Sequence, residues 1–333
     1  MKNWLFTLVI SIGISALITS CNEKKETIPN KELSIDSLLI MYPDSLEVLI
    51  KYSQHYVDQY EYQKALASAT KAFRLDSNNL KARYLYADIL NNRTERSVED
   101  IMVAQRHFNF VQSKEPKNTA ALVSLASTFS FSQNFEKSFE YINEALRIDP
   151  KNKNAYVLKG SNYMQLGNTK LAKSSYETAT QQDPAFYEAY LFLGNLYQGE
   201  ANPICLEYFL TAAELQPKNL DVLYSLAYSY QTFQRYEEAS QVYRRMFATD
   251  SSFAMPLFQQ GYIKQFYTND IDSAVYFYNE TIIIQPMFVE AWHNLGMCHE
   301  VNNDRPRALS AYARALKYNP NFELSRVAAE RLK

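Results

Sequence analysis

The sequence predicts an all-α protein, an α-α superhelix built as a solenoid of stacked helical hairpins. Three observations carry that prediction. Pro116, Pro150, Pro184, Pro217, Pro286 and Pro320 fall 34, 34, 33, 69 and 34 residues apart, with Ser251 standing where the long interval lacks a proline. A fixed period of this size marks hairpins that can bury their apolar faces only against one another. Around each proline the same ending recurs, as in Ala145 to Pro150 (ALRIDP) and Ala315 to Pro320 (ALKYNP), where a helix stops because proline cannot continue it. Composition agrees: 333 residues hold only 7 Gly but 26 Tyr and 19 Phe, too little glycine for phosphate-binding loops and ample aromatic volume to fill the space between helices.

Taken in chain order, the N-terminus comes first. Lys2 precedes an apolar run from Trp4 to Ile18, shorter than the roughly 20 residues of a membrane span and suited to a signal-peptide core, so residues 1–20 are expected to be removed. The run ends in Ile18, Thr19, Ser20 and Cys21, which resembles the lipobox of bacterial lipoproteins. That resemblance implies that Cys21 becomes the lipid-modified N-terminus and the membrane anchor. Asn22 in place of Asp resembles the sorting rule for the outer membrane, implying a cell-envelope protein facing the periplasm; Glu23, Lys24, Lys25 and Glu26 are alternatively a surface-export signal. Residues 21–45 are read as the lipidated cysteine and a flexible tether, since Asn22 to Ser34 is polar, charged and contains Pro29.

Eight repeats follow, at 46–79, 80–118, 119–152, 153–186, 187–219, 220–253, 254–288 and 289–322. At repeat position 8, where two helices of a hairpin approach, stand Ser53, Ala87, Ala126, Gly160, Gly194, Ala227, Gly261 and Gly296. On the partnering helix, at position 20, stand Ala65, Ala104, Ser138, Ala172, Cys205, Ala239, Ala274 and Ala308, so both sides of each crossing are small and the backbones can come close. Position 24 supplies the large groups Phe108, Ile142, Tyr176, Phe209, Tyr243, Tyr278 and Tyr312. The opening Trp292, His293, Asn294, Leu295, Gly296, with the small and aromatic positions and the closing proline, resembles the tetratricopeptide repeat. Repeat two carries extra residues around Asn91 to Glu99, and repeat five is one residue short near Gly199 to Pro203. Lys264 and His299 replace the usual aromatic in repeats seven and eight, which predicts looser packing there. Residues 323–333 read as a capping helix with Leu324, Val327, Ala328 and Leu332 on one face.

Little in the chain suggests catalysis. Lys plus Arg number 34 against 36 Asp plus Glu, a net charge of −2, which argues against nucleic acid as a partner. His55, His107, His293 and His299 are scattered, Cys205 and Cys298 lie three repeats apart, and neither a metal-ligand spacing nor a nucleophile elbow is present. The expectation is a non-enzymatic protein without metal or cofactor.

What remains is the surface of the stack. The resemblance implies that first helices line a concave groove, chiefly through positions 2, 5, 9, 12 and 13, and that the groove holds a peptide or a partner's helix. Position 5 reads Ile50, Tyr84, Val123, Val157, Leu191, Tyr224, Phe258 and His293; position 9 reads Gln54, Asp88, Ser127, Ser161, Asn195, Tyr228, Tyr262 and Met297. Neither position contains Lys or Arg, which argues against the cationic clamp that some family members close on a C-terminal carboxylate. Candidate groove residues are Tyr84, Asn195, Tyr224, Tyr228, Gln231, Phe258, Tyr262, Gln265, His293 and Met297, aromatic anchors interleaved with amides that can pair with an extended backbone. The leading expectation is a membrane-anchored scaffold for an envelope protein or peptide in assembly, secretion or motility. The alternative is a ligand-capture lipoprotein for carbohydrate uptake, against which stands the shortness of every insertion.

Overall fold

The structure is a computed structural model and describes residues 33–332. The expected signal peptide, Cys21 and residues 22–32 of the expected tether lie outside the described residues. Among the described residues the chain forms 18 α-helices and no strand. The hairpins are α2 (Leu46–Val57) with α3 (Tyr62–Leu75), α4 (Leu80–Asn92) with α5 (Val98–Lys114), α6 (Thr119–Phe131) with α7 (Phe135–Ile148), and α8 (Lys153–Gln165) with α9 (Thr169–Gln182). They continue as α10 (Tyr187–Gly199) with α11 (Cys205–Leu215), α12 (Leu220–Thr232) with α13 (Tyr236–Thr249), α14 (Met255–Phe266) with α15 (Ile271–Ile284), and α16 (Val289–Val301) with α17 (Arg305–Tyr318). Helix α1 (Ile35–Met41) precedes the stack and α18 (Glu323–Arg331) ends it.

Local chemistry sets the ends of these helices. Second helices stop at Asp149, Asp183, Gln216, Gln285 and Asn319, each extended because the following proline disfavours the helical region. Asp250 adopts the same conformation (φ −141°, ψ 101°) without a proline, because its Oδ1 accepts from Ser252 N at 2.9 Å and from Ser252 Oγ at 2.6 Å. First helices begin at Asn79, Asn118, Asn152 and Asn219, whose side chains accept N–H bonds of the opening turn. Between the two helices of a hairpin one residue takes the left-handed conformation: Tyr60, Gln133, Gly167, Ala201, Gln234, Asn269 and Asn303.

Packing follows the small positions. Every residue at position 20 is fully buried, and so is every Ser or Ala at position 8. Where position 8 is glycine, the space a Cβ would need is filled by the position-24 ring: Tyr176 over Gly160, Phe209 over Gly194, Tyr278 over Gly261 and Tyr312 over Gly296. Looser packing in repeats seven and eight, expected from Lys264 and His299, is not found, since Tyr278 and Tyr312 are both fully buried. Those substitutions fall at hairpin edges, where Lys264 pairs with Asp270 at 3.2 Å. Cys205 and Cys298 are buried free thiols.

Consecutive first helices touch one another at α2–α4, α4–α6, α6–α8, α10–α12 and α14–α16, so the even-numbered helices line the inner face of the superhelix. Two features differ from expectation at the ends. Part of the presumed tether is helical: α1, capped by Ser34, lays Leu39 on the cluster containing Leu49 and Ile50, and Tyr56 donates to Asp36 at 2.8 Å. The first hairpin would otherwise expose that surface, and a solenoid end needs a cover. In α18, Ser325 and Ala328 face the stack while Leu324 and Val327 remain 62% and 52% exposed. The periodicity groups those two with Ala328 on one face, but of the three only Ala328 is buried. Ser325 instead takes the place that Ala291 holds one repeat earlier, so α18 packs as the first helix of an unfinished ninth hairpin.

Candidate functional site

The inner face divides into an aromatic strip, a C-terminal extension and an N-terminal polar cavity. On α12 and α14, Tyr224 and Tyr228 lie nearly parallel with centroids 6.2 Å apart, and Phe258, Tyr262 and Phe266 continue the row at 6.4 Å and 4.5 Å. Tyr228 is 47% exposed, whereas Tyr224 is half-buried beside Gln259, and Phe258 is fixed by stacking on Phe288 at 4.8 Å. Asn195 is exposed on α10.

Gln231 and Gln265 do not join this surface. Both are buried, and their amide oxygens accept hydrogen bonds from Tyr243 (3.2 Å) and Tyr278 (2.8 Å) behind the groove. A buried phenol needs a hydrogen-bond acceptor, and position 12 of the same repeat is the nearest polar side chain. Repeat eight repeats the device, with the Tyr312 hydroxyl donating to Glu300. The signal was present in the sequence as a tyrosine at position 24 accompanying an acceptor at position 12.

At the C-terminal end, His293 and Met297 meet α18 rather than open solvent. His293 Nδ1 lies 3.0 Å from Ser325 Oγ, and burial holds this imidazole below its ordinary pKa. Leu324, Val327 and Arg331 stand beside them around a cavity of about 260 Å³. These three occupy the register of groove positions 2, 5 and 9, so the capping helix lengthens the groove by one unit. Arg331 is held by Glu300 at 2.5 Å.

The N-terminal half contains the feature that sequence reasoning missed. A cavity of about 450 Å³ opens between α4, α6 and α8, with Tyr62 of α3 at its edge. Tyr84 lines it, its hydroxyl 3.0 Å from Ser124 Oγ, together with Asp88, Asn91, Ser127, Asn154 and Ser161. Asp88 accepts from Asn92 Nδ2 at 2.9 Å, and no Lys or Arg is among the residues lining the cavity. Burial pushes the Asp88 carboxyl up to about 7, the Asn92 bond opposing and the nearby Asp58 adding to the shift. The one sequence clue was that Asp88 is the single acidic residue at groove positions 5 and 9. The insertion of repeat two contributes to this wall, folded compactly by an Arg93–Asp100 ion pair (2.5 Å) and by Arg96 donating to the Asn91 carbonyl (2.9 Å). The Tyr60 hydroxyl from the turn of repeat one donates to Glu188 at the start of α10. Repeats one and five therefore touch, and the hairpins between them curve round the cavity.

Among the described residues no helix is long and apolar enough to cross a membrane, and no cluster of three or more His, Cys, Asp or Glu side chains is placed to hold a metal ion.

Comparison with known proteins agrees with this architecture. Family models described as tetratricopeptide repeat match residues 119–152, 154–186, 220–250 and 289–322. Anaphase-promoting complex subunit 3 of Schizosaccharomyces pombe is 23% identical over 225 residues, which is 67% of this chain and 33% of that protein. The chain spans well under half the length of the curated relatives it matches. Among solved structures, the C-terminal part of a TPR repeat-containing protein from Cytophaga hutchinsonii superposes with a TM-score of 0.60 at 16% identity, covering 73% of this chain and 98% of that one. The APC/C hetero-tetramer Cut9-Hcn1 gives 0.54 at 16% identity, covering 90% of this chain and 58% of that one. At these identities the solved structures report on the fold alone. Repeated matches of the family models, the hairpin stack and the small-residue crossings together identify the chain as a member of the tetratricopeptide-repeat family.

Proposed function

We propose that this protein is a non-enzymatic, lipid-anchored scaffold of the bacterial cell envelope that holds a partner polypeptide along its concave face. Proteins of the family act in protein–protein interaction, and the observation that carries the reading here is the aromatic strip on α12 and α14 with Tyr228 open to solvent. Large, stiff aromatic groups offer contact area at low entropic cost, which suits them to anchor a partner. The lipobox resemblance at Ile18 to Cys21 supports the anchor, most simply in the outer membrane facing the periplasm. Several acyl chains on one cysteine would hold the chain stably where a single chain would not.

The test is photocrosslinking in intact cells from a reactive residue at position 228, with a second probe at Glu207 on the outer helix α11 as control. One dominant envelope protein captured from position 228 alone, and lost when Tyr262→Glu is added, is the expected result. Equal yields from both probes would refute the groove as the working surface. The anchor is tested separately: Cys21→Ser should move the protein from the membrane to the soluble fraction and abolish the lipid-bearing N-terminal peptide in mass spectra.

A further inference from the structure

We infer that the cavity between α4, α6 and α8 is a receptor for a cationic side chain, lysine or arginine, projecting from the polypeptide that lies in the groove. The inference rests on the groove reading and specifies the chemistry of one contact within it. The cavity is of a size to admit one long side chain, and its lining is polar without being cationic. Its single carboxylate, Asp88, receives one hydrogen bond from Asn92 and has no positive partner lining the cavity, an arrangement that leaves acceptor capacity unused. Around it, Ser124, Ser127, Ser161 and Asn154 supply neutral oxygens able to accept the remaining N–H bonds of an ammonium or guanidinium group. Ser124, Ser127 and Ser161 are already joined to Tyr84, Asn91 and Tyr176, and a hydroxyl oxygen has a second lone pair with which to accept; an anion would instead meet the Asp88 carboxylate.

The site also predicts a pH response. The ionisable groups facing Asp88 are Asp58 at the end of α2, Tyr62 on α3 and Tyr84 on α4, and α6 and α8 contribute none to the lining. Both phenols are held above their ordinary range and stay neutral. Asp88, raised to about 7 when the cavity is empty, is partly protonated at neutral pH. A docking cation favours the carboxylate, so the acid proton leaves to solvent on binding. Affinity therefore rises through pH 7 and levels off above it.

A random peptide library displayed on phage, selected against the purified chain lacking residues 1–20 and against its Asp88→Asn variant, tests this. The wild type should enrich Lys or Arg at one fixed place, and the variant should lose that preference and bind the enriched peptide about thirtyfold more weakly. Ser127→Lys, which carries an ammonium group into the cavity, should block the same peptide while circular dichroism shows the helices intact. Peptides that bind the wild type and Asp88→Asn equally but fail with Tyr228→Glu would overturn the cation pocket and leave the groove reading standing. Failure to enrich any peptide would overturn both.

Discussion

Replacing Gly296 with alanine should destabilise the C-terminal end of the stack by about 2 kcal/mol, although alanine is the better helix former. A Cβ at this position would lie 2.5 Å from Tyr312 Cε1, 2.8 Å from Cδ1 and 2.9 Å from Cζ, where ordinary contact begins near 3.4 Å. The ring must therefore move by about 1 Å. The ring is fully buried and tied through its hydroxyl to Glu300, which in turn holds Arg331 of α18, so moving it toward the cavity beside α18 pulls on that bond. Overpacking of this kind costs about 1–3 kcal/mol, and loss of a hydrogen bond to a charged acceptor adds about 1.5–3 kcal/mol. Against them stands a helix-propensity gain of about 1 kcal/mol. Because a repeat array unfolds from its ends, urea titration followed by circular dichroism should show an early shoulder, with hydrogen exchange accelerated in α16 to α18 before the rest. Gly199→Ala is the control, since nothing lies within 4 Å of a Cβ there, and it should be neutral or stabilising. Gly296→Ala combined with Tyr312→Ile copies the Ala126 and Ile142 pair of repeat three and should recover much of the loss, giving a strongly non-additive cycle. A Gly296→Ala protein as stable as wild type, or exchange loss spread evenly over all repeats, would refute the reasoning.

Two further outcomes follow from local geometry. Gln133 and Gln234 hold left-handed backbone at φ 57° and 60°, so Gln133→Gly and Gln234→Gly should each stabilise by about 0.5–1 kcal/mol after the greater freedom of the unfolded glycine is deducted. Three repeats separate them, so denaturation midpoints of the double variant should show additive gains; unchanged or lowered midpoints would count against relaxed strain at these turns. Tyr60→Phe removes the hydroxyl that joins repeat one to Glu188 of repeat five. Spin labels on α3 and α10 should then report a longer and broader distance distribution, and an unaltered one would mean that the superhelix holds this curvature without the contact.

The sequence by itself determined the repeat, the helix ends and the crossings, because all three are contacts between residues close in the chain or one period apart. Asn at the first-helix caps, the residue before each proline, and small side chains at positions 8 and 20 act within one hairpin, and their effect is the same wherever the hairpin sits. Asp250 shows how far this local logic reaches, holding the proline conformation by its own carboxylate where Ser251 stands instead. Tertiary structure decided which polar residues are free to bind. Gln231 and Gln265 face the groove by position, yet the phenols of Tyr243 and Tyr278 draw their oxygens inward because a buried hydroxyl cannot remain unpaired. Leu324 and Val327 share a helical face with Ala328 by period, but only the register of α18 as a further first helix shows that Ala328 packs inward while those two stand on the groove. The contact of Tyr60 with Glu188 spans 128 residues, and the cavity between α4, α6 and α8 draws on four repeats. Such features depend on the rotation accumulated from hairpin to hairpin, a sum of small packing angles that no single repeat encodes.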